Sequence, residues 1–224
     1  MMTGYLQATR EMEKLMRSIR FWVWSIPLAL YALFWLWYTP LLGPMTQSEI
    51  DEAVAALEQG GADPEAVRRI RNFFASDDGK PFIMVNIIDL ADDPEELPAT
   101  GPDASAEDLM AHYMEYMWPA LFSRASHPVF AGQAVAEAMD LVGIDGASRW
   151  DSAALMRYRS RRDMWEISSH PSFRDRHDYK VAALEKTIAF PASPQLLLGD
   201  PRLILFLAMT TLLCLIDMAF LRKR

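Results

Sequence analysis

An α+β domain strung between two membrane-spanning helices is the fold class this sequence predicts, and three observations predict it. Two long apolar stretches lie near the ends: Phe21 to about Leu42 without a charged residue, and Leu203 to Leu221 interrupted only by Asp217. Between them, strand-like and helix-like hydrophobic periods alternate. Charge divides the same way: of 22 basic and 30 acidic residues in 224, the terminal segments hold 8 and 3, leaving 14 and 27 in the middle.

At about 1.5 Å per residue, the first stretch is long enough for a hydrocarbon core of about 30 Å. Trp22 and Trp24 near one end, with Trp35, Trp37 and Tyr38 near the other, place amphipathic rings where the two interfaces fall. The run is longer than a signal-peptide core, and Tyr38 to Pro44 offers no small-x-small cleavage site, so it reads as an anchor in the lipid bilayer. Arg10, Lys14, Arg17 and Arg20 precede it, and Arg222, Lys223 and Arg224 follow the second stretch. Basic flanks stay on the cytoplasmic side, so both termini are expected there and the middle opposite, in a bacterium on the periplasmic face of the inner membrane. The expected plan is a cytoplasmic tail over 1–20, a span over 21–42, a helical spacer over 43–79, the α+β domain over 80–192, a linker over 193–202, a span over 203–221 and a basic tail over 222–224.

An acidic middle argues against nucleic acid and against lying flat on anionic lipid. Asp217 sits about one turn from the basic tail, which is expected to pair with it or screen it. The first span has no matching polar residue beyond Ser25, which argues against a transport path. The single cysteine, Cys214, excludes an intramolecular disulfide and a thiol metal site.

In the middle, Thr46-Gln-Ser-Glu49 is a capping box opening a short helix with Ile50, Val54 and Leu57 on one side, stopped by Gly60-Gly61. Asp63-Pro64 restarts a helix striped by Val67, Ile70, Phe73 and Phe74, so the two form a hairpin that reads as a spacer packed on the main domain. Pro81 to Leu90 is a nearly continuous apolar run of strand length, followed by an acidic, Pro-rich loop from Asp92 to Pro102. Ser105 to Asp108 opens a helix reaching about Ser126, carrying Leu109, Tyr113, Tyr116, Met117 and Leu121, with a kink expected at Pro119. Further strands are expected in Pro128 to Met139 and Trp150 to Arg159. A short helix capped by Ser160 and broken at His170-Pro171 follows, then a helix from Ser172 to about Lys186 bearing Phe173, Val181 and Leu184, then a last strand over Thr187 to Pro191. Strand, helix, strand, strand, helix, strand is the order of the ferredoxin-like sandwich.

Phe82 to Leu90, the Trp150 to Arg159 strand leading into Ser160-Arg161, and the helix with Pro171, Phe173, Tyr179 and Ala183 resemble the dimeric α+β barrel superfamily over roughly residues 80–192, closest to its small bacterial domains of unknown function. The resemblance implies a homodimer in which sheets of two subunits pack face to face. The membrane spans and the helical hairpin depart from that pattern.

In the third strand Leu155, Arg157 and Arg159 alternate with Ala154, Met156 and Tyr158, so the arginines are expected to face the space between paired sheets. Asn86, the lone polar residue amid large apolar ones, also needs a partner. Asn86, Arg157 and Arg159 would suit a carboxylate or carbonyl, with His177 beside them; an intersubunit ion-pair cluster is the plainer alternative and is preferred. Haem-degrading members of the superfamily hold iron with a histidine on the last long helix, helped by a first-strand asparagine and a tryptophan. His177, Asn86 and either Trp165 or Trp150 resemble that trio. His112 and Glu115 have a one-turn ligand spacing, but the aromatic residues around them read as helix packing, and no metal is expected.

There is no phosphate-binding Gly loop, no Ser-His-Asp order and no paired-Cys site, so no catalytic residue is assigned. The reading that results is a doubly anchored membrane protein whose extracytoplasmic domain dimerises as an accessory binding or assembly module, with other membrane subunits as possible partners and no cofactor. The alternative is an enzyme of the barrel superfamily acting on a small molecule or haem.

Overall fold

The computed structural model describes residues 2–195 and 197–221 and comprises two compact units, residues 1–39 with 196–224 and residues 40–195. The tail Arg222 to Arg224 lies outside the described residues.

The first unit contains helix α1 (Met2–Tyr38) and, from the chain's other end, helix α7 (Pro201–Ile216), which continues as a π turn over Asp217–Leu221. Both are long and apolar enough to cross a membrane, over Arg10–Tyr38 and Pro201–Phe220. Residues 2–20, expected as a separate tail, are the first half of α1: no proline interrupts the helix before Pro27. The helix also stops at Tyr38, short of the expected Leu42, because Pro40 and the left-handed Gly43 cannot extend it. Tyr31 meets Phe206 at 5.6 Å between ring centroids and donates its hydroxyl to the carbonyl of Arg202. Arg202 lies 5.6 Å over the Tyr38 ring and donates to Thr39 Oγ1. Asp217 has a partner in Arg20, whose Nη2 donates to Oδ2 at 2.7 Å; the basic tail expected to pair with it or screen it lies outside the described residues.

The second unit holds the hairpin α2 (Gln47–Gln59) and α3 (Pro64–Ala75), then β1 (Phe82–Leu90), α4 (Ala106–Ser123), β2 (His127–Gln133), β3 (Ser152–Tyr158), α5 (Arg161–Ser168), α6 (Pro171–Ala182) and β4 (Leu184–Ala192). Capping residues start the helices as read: Thr46 and Ser105 complete capping boxes with Glu49 and Asp108, and Asp63 and Ser160 accept from the third backbone amide.

The sheet is antiparallel throughout, in the order β2-β3-β1-β4. With β1 inserted between β3 and β4, and β3 between β1 and β2, each helical crossover joins parallel strands that another strand splits, which is the ferredoxin-like arrangement. Helices cover one face. Phe82 stacks on Tyr158 at 5.3 Å, and Tyr113, Met117, Leu121 and Ile167 close over them, with Met84 and Met156 at the margin. Burial pushes the Tyr158 phenol up to about 12.

The hairpin packs on this core. Its cluster of Met45, Ile50, Val54, Val67 and Phe74 meets Met164 and Trp165 of α5, and Phe73 sits edge-on to Phe82 at 5.1 Å. Arg161 covers the Phe73 ring, donates to its carbonyl and reaches Asp77.

Two elements differ from expectation. The second strand ends at Gln133, and residues 134–149 form a loop with Val135, Met139 and Val142 almost fully exposed. The last helix ends at Ala182, because Leu184 to Lys186 pair with Leu90 and Asp89 of β1; the sheet ladder overrides the helical preference of Leu-Glu-Lys. The inner face of α6 is correspondingly Phe173, His177 and Tyr179, and Val181 is exposed.

Candidate functional site

Strand alternation sends Ile83, Val85, Ile87 and Asp89 of β1 to the side opposite Phe82 and Met84, away from the helices. Register carries this across the sheet. Phe130, Leu155, Val85 and Phe190 form one cross-strand row, and Gly132, Ala153, Ile87 and Ile188 form the next. Phe130, Ile188 and Phe190 are exposed, at 53, 37 and 47%. The Phe130 ring lies over Gly132, where a Cβ would come within 2.9 Å of it, so the glycine makes room for the aromatic on this face.

Polar groups border the apolar rows. At one end, Arg157 is buried, donating from Nη1 to the carbonyl of Ala125 at 2.7 Å. At the other, buried Asp89 pairs with Lys186 at 3.2 Å, while its Oδ1 has no hydrogen-bond partner and lies 3.9 Å from Arg149 Nε. Lys186 also lies 5.1 Å over the Trp150 ring and donates to the carbonyl of Gly146. Beside this cluster a cleft of about 580 Å³ opens between the start of α4 and the start of β3, lined by Asp92, Ser105, Glu107, Arg149, Trp150 and Asp151. The hydrogen bond that Arg149 donates to Asp92, ahead of the charges of Asp92, Asp151 and Asp89, holds the Arg149 pKa up. These carboxylates and cations are already paired with one another. That chemistry suits shape- and charge-complementary binding better than proton transfer.

The predicted pocket of Asn86, Arg157, Arg159 and His177 is not assembled. Asn86 shares the covered side with Met84 and gives its amide to the carbonyls of Met84 and Ala154. Arg157 faces the other way. Arg159 turns to Asp163 of α5, 2.8 Å from Nε to Oδ2. His177 packs between Phe173 and Tyr113, with ring centroids at 5.0 and 6.4 Å; burial first, and the charge of Lys180 second, lower its pKa.

The residues do not fit haem. The Asn86 amide is spent on the backbone, and the His177 ring is flanked by two aromatic rings. Trp165 packs on Phe74 of the hairpin, and Trp150 belongs to the cluster at the sheet's end. His112 meets Tyr179 with ring centroids at 4.5 Å and planes tilted by 60°, and Glu115 pairs with Arg176 at 2.5 Å, so this couple staples α4 to α6. Among the described residues, no group of three or more His, Cys, Asp or Glu could hold a metal ion. Of the aromatics expected at membrane interfaces, Trp22, Trp35 and Trp37 are exposed, Trp24 is half-buried and Tyr38 is buried.

The Asp89, Lys186, Arg149 and Trp150 cluster escaped sequence reading. Its signal was Asp89, a lone charge at the end of an apolar strand, and Lys186 was hidden by its assignment to a helix.

No family model matches this chain, and no curated protein does. Among solved structures it is similar to a protein of unknown function from Rhodopseudomonas palustris, at 21% identity and a TM-score of 0.49, over 60% of this chain and 95% of that one. It is also similar to a dimeric ferredoxin-like protein of unknown function from Jannaschia sp. CCS1, at 10% identity and a TM-score of 0.33, over 51 and 99% of the two chains. A dimeric protein of ferredoxin-like fold from Bacteroides fragilis matches at 14% identity and a TM-score of 0.31, over 51 and 96%. The fold assignment rests on strand order and register, independently of these likenesses.

Proposed function

We propose that this chain is a doubly anchored protein of the bacterial inner membrane whose acidic ferredoxin-like domain is an assembly module, two copies packing their open sheet faces into a barrel of the dimeric α+β type. In this reading α1 and α7 span the bilayer, both termini are cytoplasmic by the distribution of basic residues, and the domain is periplasmic. One observation carries the proposal: the sheet face with Phe130, Leu155, Val85, Ile87, Ile188 and Phe190 is uncovered, while the opposite face is packed by helices. Contiguous apolar surface rimmed by polar groups marks an interaction site, and identical faces are self-complementary about a two-fold axis. The rim here is Arg157 at one end and the Asp89–Lys186 pair at the other.

The test is shielding. In a Cys214→Ser background, the full chain in detergent micelles is expected to have the mass of two copies, and a cysteine replacing Phe190 is expected to react with a polar maleimide far more slowly than one replacing Val135. Equal labelling, or a one-copy mass, overturns the reading. Orientation is tested by a reporter fused after Arg224, expected active only in its cytoplasmic form, and one inserted in the Asp92 to Pro102 loop, expected active only in its exported form.

A further inference from the structure

Among the described residues, Lys14, Lys80 and Lys186 each sit in an ion pair, with Glu11, Asp78 and Asp89 at 3.1, 3.2 and 3.2 Å. Lys180 is the remaining described lysine, and no carboxylate of these residues pairs with it. It is half-buried on the inner side of α6, where Phe173, His177 and Lys180 recur at intervals of four and three residues and all meet Tyr113 of α4. Its nitrogen lies 5.7 Å from the centre of the Tyr113 ring, near the outer limit for a cation held over an aromatic face. That nitrogen makes no hydrogen bond and yet is not one of the fully buried, unpartnered atoms of the described residues. The stem is therefore packed while the tip reaches solvent.

Nothing that faces the amine restores its charge. On α4, Glu115 is taken by Arg176 and Asp108 by the Ser105 cap; on α5, Asp163 is taken by Arg159 and Glu166 by Arg124. Glu107, Asp175, Asp178 and Glu185 are exposed. The titratable neighbours are uncharged at neutral pH: burial, ahead of Tyr158 and Tyr116, raises the Tyr113 phenol, and burial, ahead of Lys180, lowers the His177 imidazole. Burial lowers the Lys180 ammonium in the same way.

We propose that Lys180 is a reactive amine at which an uncharged aromatic aldehyde condenses to an imine. The Nζ lone pair attacks the carbonyl carbon, the carbinolamine loses its oxygen as water together with the two amine protons, and the C=N bond remains. No oxidant or reductant is consumed. The Tyr113 ring beside the stem, with His177 one turn away, suits an aromatic body. Because α6 packs through Phe173 on the helix-covered side of the sheet, pairing of the open sheet faces leaves this site accessible. The inference is independent of that pairing and of the membrane reading.

Reductive trapping tests it. The full chain in detergent micelles is treated with benzaldehyde and cyanoborohydride at neutral pH, and benzylation is followed by peptide mapping, which also separates the α-amino group. Lys180 is expected to react about tenfold faster than exposed, paired Lys80, and to lose that lead when the chain is unfolded in urea. Lys180→Met should abolish the fast reaction and leave the slow ones. His177→Glu sets a carboxylate one turn away and should bring Lys180 down to the rate of Lys80. Equal rates at the two lysines in the folded chain, a lead that survives urea, or an undiminished rate in folded His177→Glu overturns the proposal.

Discussion

Arg162 of α5 holds Glu49 of α2 by two hydrogen bonds, Nε to Oε1 at 2.6 Å and Nη2 to Oε2 at 3.0 Å, and the same carboxylate accepts from the Thr46 amide to complete the α2 capping box. One side chain therefore both starts the hairpin and fastens it to the domain. The Arg162 bond, more than the capping bond, brings the Glu49 pKa from 4.5 down to about 2. A depressed carboxylate contributes stability fully above its unfolded value and loses it as pH falls toward the folded one. Glu49→Gln is expected to cost about 1 kcal/mol at neutral pH, allowing for solvent screening of a partly exposed pair. The gap between variant and parent should close between about pH 4.5 and pH 2 in urea unfolding of the detergent-solubilised chain; a gap constant over that range refutes the linkage.

Arg157 is 2% exposed and bonded to the carbonyl of Ala125, a residue held at φ +51°. Arg157→Met keeps much of the volume but orphans that carbonyl, and is expected to cost about 2 kcal/mol. Urea midpoints at constant m-value measure it.

Gly79 and Gly143 have nearly the same left-handed backbone, φ +72° and +71°, but different surroundings. A Cβ on Gly79 would lie 2.9 Å from the Pro44 nitrogen, whereas one on Gly143 meets nothing within 4 Å. Gly143→Ala should cost about 1 kcal/mol from conformation alone, and Gly79→Ala about 3 kcal/mol because the Gly43–Pro44 backbone must also move. Similar melting temperatures for the two variants contradict this.

Asp217 is nearly buried, and Arg20 is its partner. Arg20→Ala removes the partner that the described residues give this carboxylate and is expected to destabilise the α1–α7 pair by about 2 kcal/mol, with Arg20→Ala/Asp217→Ala recovering part of the loss. Thermal aggregation of the four chains in detergent completes the cycle, and strictly additive losses would show the pair to be uncoupled.

Much of the fold was legible because local signals agreed with the tertiary outcome. Thr46, Asp63, Ser105 and Ser160 mark helix starts through side-chain oxygens that act within three residues. The end of α6 was not legible: Leu184 to Lys186 join a ladder with β1 almost a hundred positions earlier, and no local period encodes that. Alternation placed Met156 and Tyr158 opposite Arg157 correctly. It failed to relate Asn86 to Arg157, since the face of one strand relative to another depends on register: Asn86 pairs with Ala154, and Arg157 with Ile83.

The polar contacts at the two ends of the α1–α7 pair also act as a ruler. Tyr38 and Thr39 meet Arg202 at one end and Arg20 meets Asp217 at the other. Eighteen residues of helix separate Arg20 from Tyr38, about 27 Å. Placed in a bilayer, the pair has a fixed apolar length, and a membrane appreciably thicker than that would draw one of the two contacts into hydrocarbon. Mismatch of this kind is relieved by tilt or by local thinning at a modest cost per ångström. In the membrane reading proposed above, bilayer thickness would be a variable the protein senses, lipids with shorter acyl chains tightening the two helices and longer ones loosening them.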